Sequence, residues 1–176
     1  MSDLEAARAA LRAKQGAGAR YDADSAPHDA LLLARRGTAV FARKLNDLSD
    51  ADLTAPARAR IVARVSYQAR EMAIALSALR RPLAPEEAAW RADVALAMTL
   101  PARALRHLFD HAVKHLDVEW RDLPGDAWTA EIPLPDGRRI SARATPEMRA
   151  ETVWREAVEL GNGLRWTDIP PHFRPE

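Results

Sequence analysis

The chain has no cysteine, which excludes disulfides, a cysteine nucleophile and thiolate metal ligands. Any thiol chemistry therefore needs a thiol carried in by a small molecule. The same absence fits a cytoplasmic location, which is the one expected. Long apolar runs are also missing. No stretch approaches roughly 18 uncharged apolar residues, so no membrane-spanning helix is expected. The opening residues, MSDLEAARAALRAKQ, carry charges throughout and do not read as a signal peptide. Neither sign of charge dominates: 26 Lys+Arg against 25 Asp+Glu leave a formal net charge of +1. With no Lys/Arg-rich arm, there is no field to gather nucleic acid or anionic lipid. Nucleic acid and membrane are thus not expected partners, and a small molecule remains one candidate partner.

Apolar residues make up 48% of the 176, enough for one packed domain with a small appendage. Ser2 and Glu5 stand in capping-box relation and predict an Ala-rich helix to about Gln15, ended by Gly16 and Gly18. Residues 1–22 form an N-terminal arm. Ser25-Ala26-Pro27 opens a second helix, with Ser25 as N-cap and Ala30, Ala34, Phe41, Leu45 and Leu48 at helical spacing. The connector SDADLTAP leads to a third helix, about residues 56–79, striped by Ile61, Val65, Ala69, Met72, Leu76 and Leu79. A fourth helical region opens near Pro85-Glu86 and carries Trp90, Val94 and Met98. Pro101 should kink or split it, and it continues through Leu105, Leu108, Phe109, Ala112, Leu116 and Trp120. This patterning predicts an antiparallel helical bundle over residues 23–122.

Past Pro124 the composition changes. Two alternating stretches, AWTAEIPL and RRISARA, flank Pro135-Asp136-Gly137 and predict a β-hairpin, because Asp-Gly favours positive φ. Thr145-Pro146-Glu147 then starts a last helix that Gly161 ends. A lone hairpin is unstable in water, so it must pack on that helix or on the bundle. The fold class expected is mainly α, a four-helix bundle with a small C-terminal α+β subdomain over residues 123–176.

Candidate chemistry is sparse. Three of the five histidines, His107, His111 and His115, form an i, i+4, i+8 ladder. An i, i+4 pair of this kind can clip a metal. At roughly 100° per residue, however, His107 and His111 fall opposite the apolar stripe, where a third ligand is lacking, and His115 falls at its border. His107 and His111 are therefore only the weaker metal alternative. Ser66 and Ser77 have no histidine within a turn, and Gly161-Asn162-Gly163 reads as a helix stop. The five tryptophans, Trp90, Trp120, Trp128, Trp154 and Trp166, read as packing residues.

An ordered set of residues gives the last third a distinctive outline: Trp128, Asp136-Gly137-Arg138, Met148-Arg149-Ala150, Glu159-Leu160-Gly161 and Asp168-Ile169-Pro170. It resembles the mycothiol-dependent maleylpyruvate isomerase family. The bundle region agrees in outline through LSDADLTAP and RPLAPEEAAWRADVALAMTLPARAL, so the resemblance covers roughly residues 23–172. It implies a DinB-like four-helix bundle. It also implies a divalent metal, zinc, held by a His of the third helix and by a Glu and a His four residues apart on the last helix. That metal helps to position and activate the thiol cofactor mycothiol. Carried over, the three ligand positions fall on Arg64, Thr152 and Glu156. Arginine has no lone pair to give a metal, threonine is a poor ligand, and a single carboxylate holds zinc weakly. The resemblance therefore implies a scaffold whose metal ligands are not retained, with no cofactor expected. A cleft near Arg64, Tyr67, Gln68, Thr152 and Glu156 is expected to take a small thiol or organic acid, and Arg64 and Glu156 are expected to pair across it. The alternatives are a non-catalytic interaction or structural relative, or a thiol-dependent isomerase or transferase with non-standard ligands.

Overall fold

The computed structural model describes residues 3–15 and 21–176. The first helix, α1 (Asp3–Gln15), occupies the predicted span, while Ser2, Gly16 and Gly18 lie outside the described residues. Helix α2 (His28–Asn46) begins after Pro27 rather than after a serine cap. The Ser25 hydroxyl instead donates to the Gly125 carbonyl at 3.0 Å, tying the entry of α2 to the segment beyond the bundle. A one-turn helix, α3 (Asp50–Leu53), forms inside the expected connector, capped by Ser49, whose Oγ accepts from the Asp52 amide at 3.1 Å. Helix α4 (Pro56–Ser77) follows, with Pro56 in its first turn and the predicted stripe buried from Ile61 to Leu76.

The expected fourth helical region is divided well before Pro101. It consists of α5 (Pro85–Ala89), α6 (Val94–Ala97) and the long α7 (Ala102–Asp122). Trp90 ends α5 in an extended conformation, and its ring lies edge-on to Tyr67 at 5.3 Å, beneath the Arg70 guanidinium at 4.6 Å. Tertiary stacking of this ring against α4 outweighs the local helical preference of the segment.

The hairpin forms where predicted but is short. β1 (Glu131–Pro133) pairs antiparallel with β2 (Arg139–Ser141), Ile132 opposite Ile140. Within the turn only Gly137 takes positive φ, at 84°. Asp136 does not, and it serves by accepting from the Arg138 amide at 3.0 Å. With Gly137 N–H donating to the Leu134 carbonyl at 3.0 Å, the turn is of the type that precedes a left-handed glycine. Single 3₁₀ turns at Gly125–Thr129 and Ala142–Ala144 replace the outer parts of the predicted strands. The last helix, α8 (Thr145–Glu159), closes at Gly161 with φ of 69°.

Side-chain pairings set the helix directions. Leu33 meets Trp154 and Lys44 meets Asn162, so α2 and α8 run the same way. Arg58 reaches Leu160 while Gln68 reaches Thr152, so α4 runs against α8. Arg106 binds Leu45 while Asp117 binds Arg35, so α7 runs against α2. The bundle thus has two helices up and two down, and residues 78–101 form the long crossover between α4 and α7, which share a direction. α2 packs closely along α8 and α4 along α7, whereas α2 and α7 meet sparsely. Phe41 and Phe109 stack in the centre at 5.1 Å, and Trp128 and Ile132 join the hairpin to the same core. Among the described residues, no helix is long and apolar enough to cross a membrane.

Candidate functional site

Helices α4 and α8 face each other through residues at steps of four. On α4 these are Arg64 and Gln68, and on α8 they are Glu156 and Thr152, in opposite order because the helices are antiparallel. Arg64 Nη2 donates to Glu156 Oε1 in the ion pair expected from the sequence. One turn along, Gln68 Nε2 donates to Thr152 Oγ1 at 2.6 Å. Gln68 Oε1 accepts from Arg149 Nη1 at 3.0 Å, and the same Nη1 donates to the Val65 carbonyl at 2.6 Å. At the far end Arg58 closes the seam on the C-terminal carbonyls of α8, with Nε donating to Leu160 at 2.9 Å.

The pair is asymmetric. The Glu156 side chain is 13% exposed and that of Arg64 is 55% exposed. Burial pushes the Glu156 carboxyl above its ordinary range, and the Arg64 charge opposes that without overcoming it. Tyr67 does not join this group. A step of three from Arg64 turns it towards Trp90, so the expected contribution of Tyr67 to the cleft is replaced by ring packing. Burial, with the nearby Asp93 charge, raises its phenol pKa.

Three recesses surround these helices. One of about 180 Å³ lies between α4 and the hairpin and is reached by Gln68, Glu71, Met148 and Ile132. A second, about 420 Å³, opens between α2 and α7. A third, about 400 Å³, lies between α4, Trp90 and the hairpin turn. Of the predicted site residues only Gln68 lines any of the three.

His107 and His111 are exposed on α7, with ring centroids 6.1 Å apart. His115 turns inward to Glu119 at 3.6 Å. Among the described residues, no three His, Cys, Asp or Glu side chains are grouped so that they could hold a metal. Trp120, Trp128 and Trp154 are core residues, and Trp90 and Trp166 are half-buried packing residues.

Two features went unread in the sequence. Arg149 is 1% exposed, in the bundle centre, and Nη2 of its guanidinium has no hydrogen-bond partner. The signal was present: Arg149 shares a stripe at steps of three and four with Pro146, Ala150, Val153, Trp154 and Ala157, all buried. The second is Glu119, 4% exposed, which accepts from Arg80 Nη2 at 2.6 Å. Burial pushes the Glu119 carboxyl up, but His115, Arg80 and Ser77 together bring it down to about 2. The Ser77 hydroxyl contributes as a nearby dipole, since its geometry falls short of a full hydrogen bond.

No family model matches the chain, and no curated protein matches it. Two solved structures do: a mycothiol-dependent maleylpyruvate isomerase and a point mutant of it. Each is 31% identical with a TM-score of 0.72, over 84% of this chain. The chain spans 65% of the length of those structures, just under two thirds. In fold and sequence together, the chain is similar to the mycothiol-dependent maleylpyruvate isomerase, as a DinB-like helical bundle with a small hairpin appendage.

Proposed function

We propose that this chain is a metal-independent relative of the isomerase and binds a small organic acid or thiol between α4 and α8. The observation that carries the reading is the Arg64–Glu156 ion pair. The resemblance assigns the family's metal ligands to Arg64, Glu156 and Thr152. These positions offer a guanidinium with no lone pair, a carboxylate already engaged by that guanidinium, and a hydroxyl that accepts from Gln68. Such a donor set does not fit a divalent metal, which needs several anionic or imidazole ligands converging on one point.

The pair also supports ligand binding. Arg64 gives one N–H to Glu156 and keeps more than half of its side chain exposed, so its planar donor edge remains open to a carboxylate from solution. Gln68 and Thr152 supply neutral polar groups one turn away. The chain's own residues thus bind and orient an acid, with no metal-assisted step.

Elemental analysis of protein purified without a histidine tag tests the metal half, and zinc well below one per chain is expected. A tightly held stoichiometric divalent metal overturns the reading. The triple variant Arg64→His, Thr152→Glu, Glu156→His should gain Zn²⁺ affinity, and a folded triple variant with none would show the site to be misplaced. Calorimetric titration with maleate and with N-acetylcysteine tests the ligand half. Saturable binding of either that is lost in Arg64→Ala supports it, and absence of binding of both refutes it.

A further inference from the structure

We infer that the seam between α2 and α7 is a second binding site, for a small monocarboxylate with an aromatic body, anchored from the bundle centre by Arg149. The inference touches the α4–α8 site through Gln68 but rests on a different observation, a charge without a counter-charge. Arg149 is 1% exposed, yet both partners of its Nη1 are neutral, the Val65 carbonyl at 2.6 Å and the Gln68 amide oxygen at 3.0 Å. Nη2 has no partner at all. Burial alone lowers the guanidinium pKa, to about 9, so the group still carries its charge at neutral pH. An ionised side chain buried without a counter-ion is costly, and an anionic ligand would supply the missing charge.

The surroundings say what that ligand is. Arg149 forms part of the lining of the recess of about 420 Å³ between α2 and α7, a volume in the range of small-molecule sites, roughly 300–1,000 Å³. Nη1 is engaged by α4, which leaves Nη2, buried and without a partner, as the N–H group for a ligand to take. The walls above it are Phe109, Val113, Leu116 and Trp120. Trp120 is fixed, its Nε1 donating to Thr145 Oγ1 at 3.0 Å.

The second guanidinium at the seam already has acids beside it. Arg35 is held by Asp22 at 2.6 Å and by Asp117 at 2.8 Å. Asp110 and Lys114, both exposed at the mouth, are of opposite sign. Arg149 at the floor has no acid among its hydrogen-bond partners, which calls for one anionic group. A planar apolar body suits the Phe109 and Trp120 rings, while a second carboxylate would be forced against apolar walls. Benzoate is the simplest molecule of this class. The seam is also where the bundle is least tightly packed, which gives such a molecule a way in.

The test titrates the whole protein with benzoate, following tryptophan fluorescence and the ¹H–¹⁵N signals of Arg149 Nε and Trp120 Nε1. Benzyl alcohol is the neutral control. Saturable benzoate binding is expected, with both signals shifting and the alcohol at least ten-fold weaker. Val113→Trp fills the recess from a half-buried position, leaves Arg149 itself unchanged in sequence and should abolish binding. Arg149→Met should weaken it at least ten-fold. If that variant does not fold, the Val113→Trp result decides. Benzoate-induced shifts at Arg149 Nε and Trp120 Nε1, with the Arg64 Nε signal unmoved, separate this site from the α4–α8 reading. The inference is overturned by failure of the intact protein to bind benzoate saturably, by equal affinity for benzyl alcohol, or by binding that survives Val113→Trp.

Discussion

Glu156 lies in a buried environment and its partner Arg64 in a wet one, and the difference decides what each substitution costs. The pair was expected from the sequence as an interaction across a buried cleft. Its geometry is as expected, but more than half of the Arg64 side chain faces solvent, so its attraction is screened. Because the folded-state pKa of Glu156 is raised, the ionised carboxylate is a burden to the fold. The corresponding stability is present below the ordinary carboxylate pKa and is lost as pH rises through the raised value. Glu156→Gln should therefore change stability little at pH 7, by less than about 0.5 kcal/mol. Arg64→Ala leaves the buried carboxylate unattended and should cost about 1 kcal/mol, discounted for the exposure of the guanidinium. Urea unfolding at pH 7 and again near pH 4 checks both, since the gap between the variants should narrow as Glu156 takes up a proton. A larger loss for Glu156→Gln than for Arg64→Ala would contradict this account.

At the scale of the helices, the critical contact is a glycine that helical periodicity passes over. Gly37 lies in the middle of α2, where a residue of low helix propensity has no local reason to be. A Cβ placed on it would lie 2.6 Å from Val153 Cγ2 and 2.7 Å from Trp154 Nε1, both on α8. The bare backbone lets α8 come close enough for Trp154 Nε1 to donate to the Leu33 carbonyl at 3.0 Å. Gly37→Ala should gain helix propensity but lose more to overpacking, a net destabilisation of about 1–3 kcal/mol, read from the thermal midpoint. An unchanged or raised midpoint would mean that α8 moves away at no cost. The example also shows what was readable in the sequence. Stripes such as Ile61 to Leu76 are set by the period of one helix, and the hairpin by one turn, so both could be read from local sequence. Which helix a stripe meets is settled by packing between distant segments, so the partnership of α2 with α8 was not readable. Ser25 and Trp90 failed for the same reason, because their partners, Gly125 and Tyr67, are remote in sequence.

For the molecule as a whole, the buried charges mark how the crossover is held. Glu119 near the end of α7 accepts from Arg80 just past the end of α4, so the carboxylate fastens the start of the crossover to the helix where it finishes. Arg149, near the bundle centre, has no equivalent acid, and so the two buried ions have different consequences. The site residues were legible only through the resemblance, position by position, whereas Glu119 and Arg149 required the fold: a sequence shows that a charge falls on an apolar stripe but not whether anything meets it. The Glu119 carboxyl is held at about 2 against an ordinary 4.5. A depressed carboxylate pKa contributes stability that is fully present above the unfolded value and is lost as pH falls through the folded one, so the window runs from pH 4.5 down to about 2. Glu119→Gln keeps the shape but removes the charge, leaving Arg80 with a neutral acceptor. It should lower stability at pH 7 on the order of 2 kcal/mol and flatten the acid limb of the stability curve across that window. Thermal midpoints of the two proteins should converge as pH approaches 2, where the native protein has also lost the charge. A variant whose acid limb stays parallel to that of the native protein would place the acid-labile contact elsewhere in the bundle.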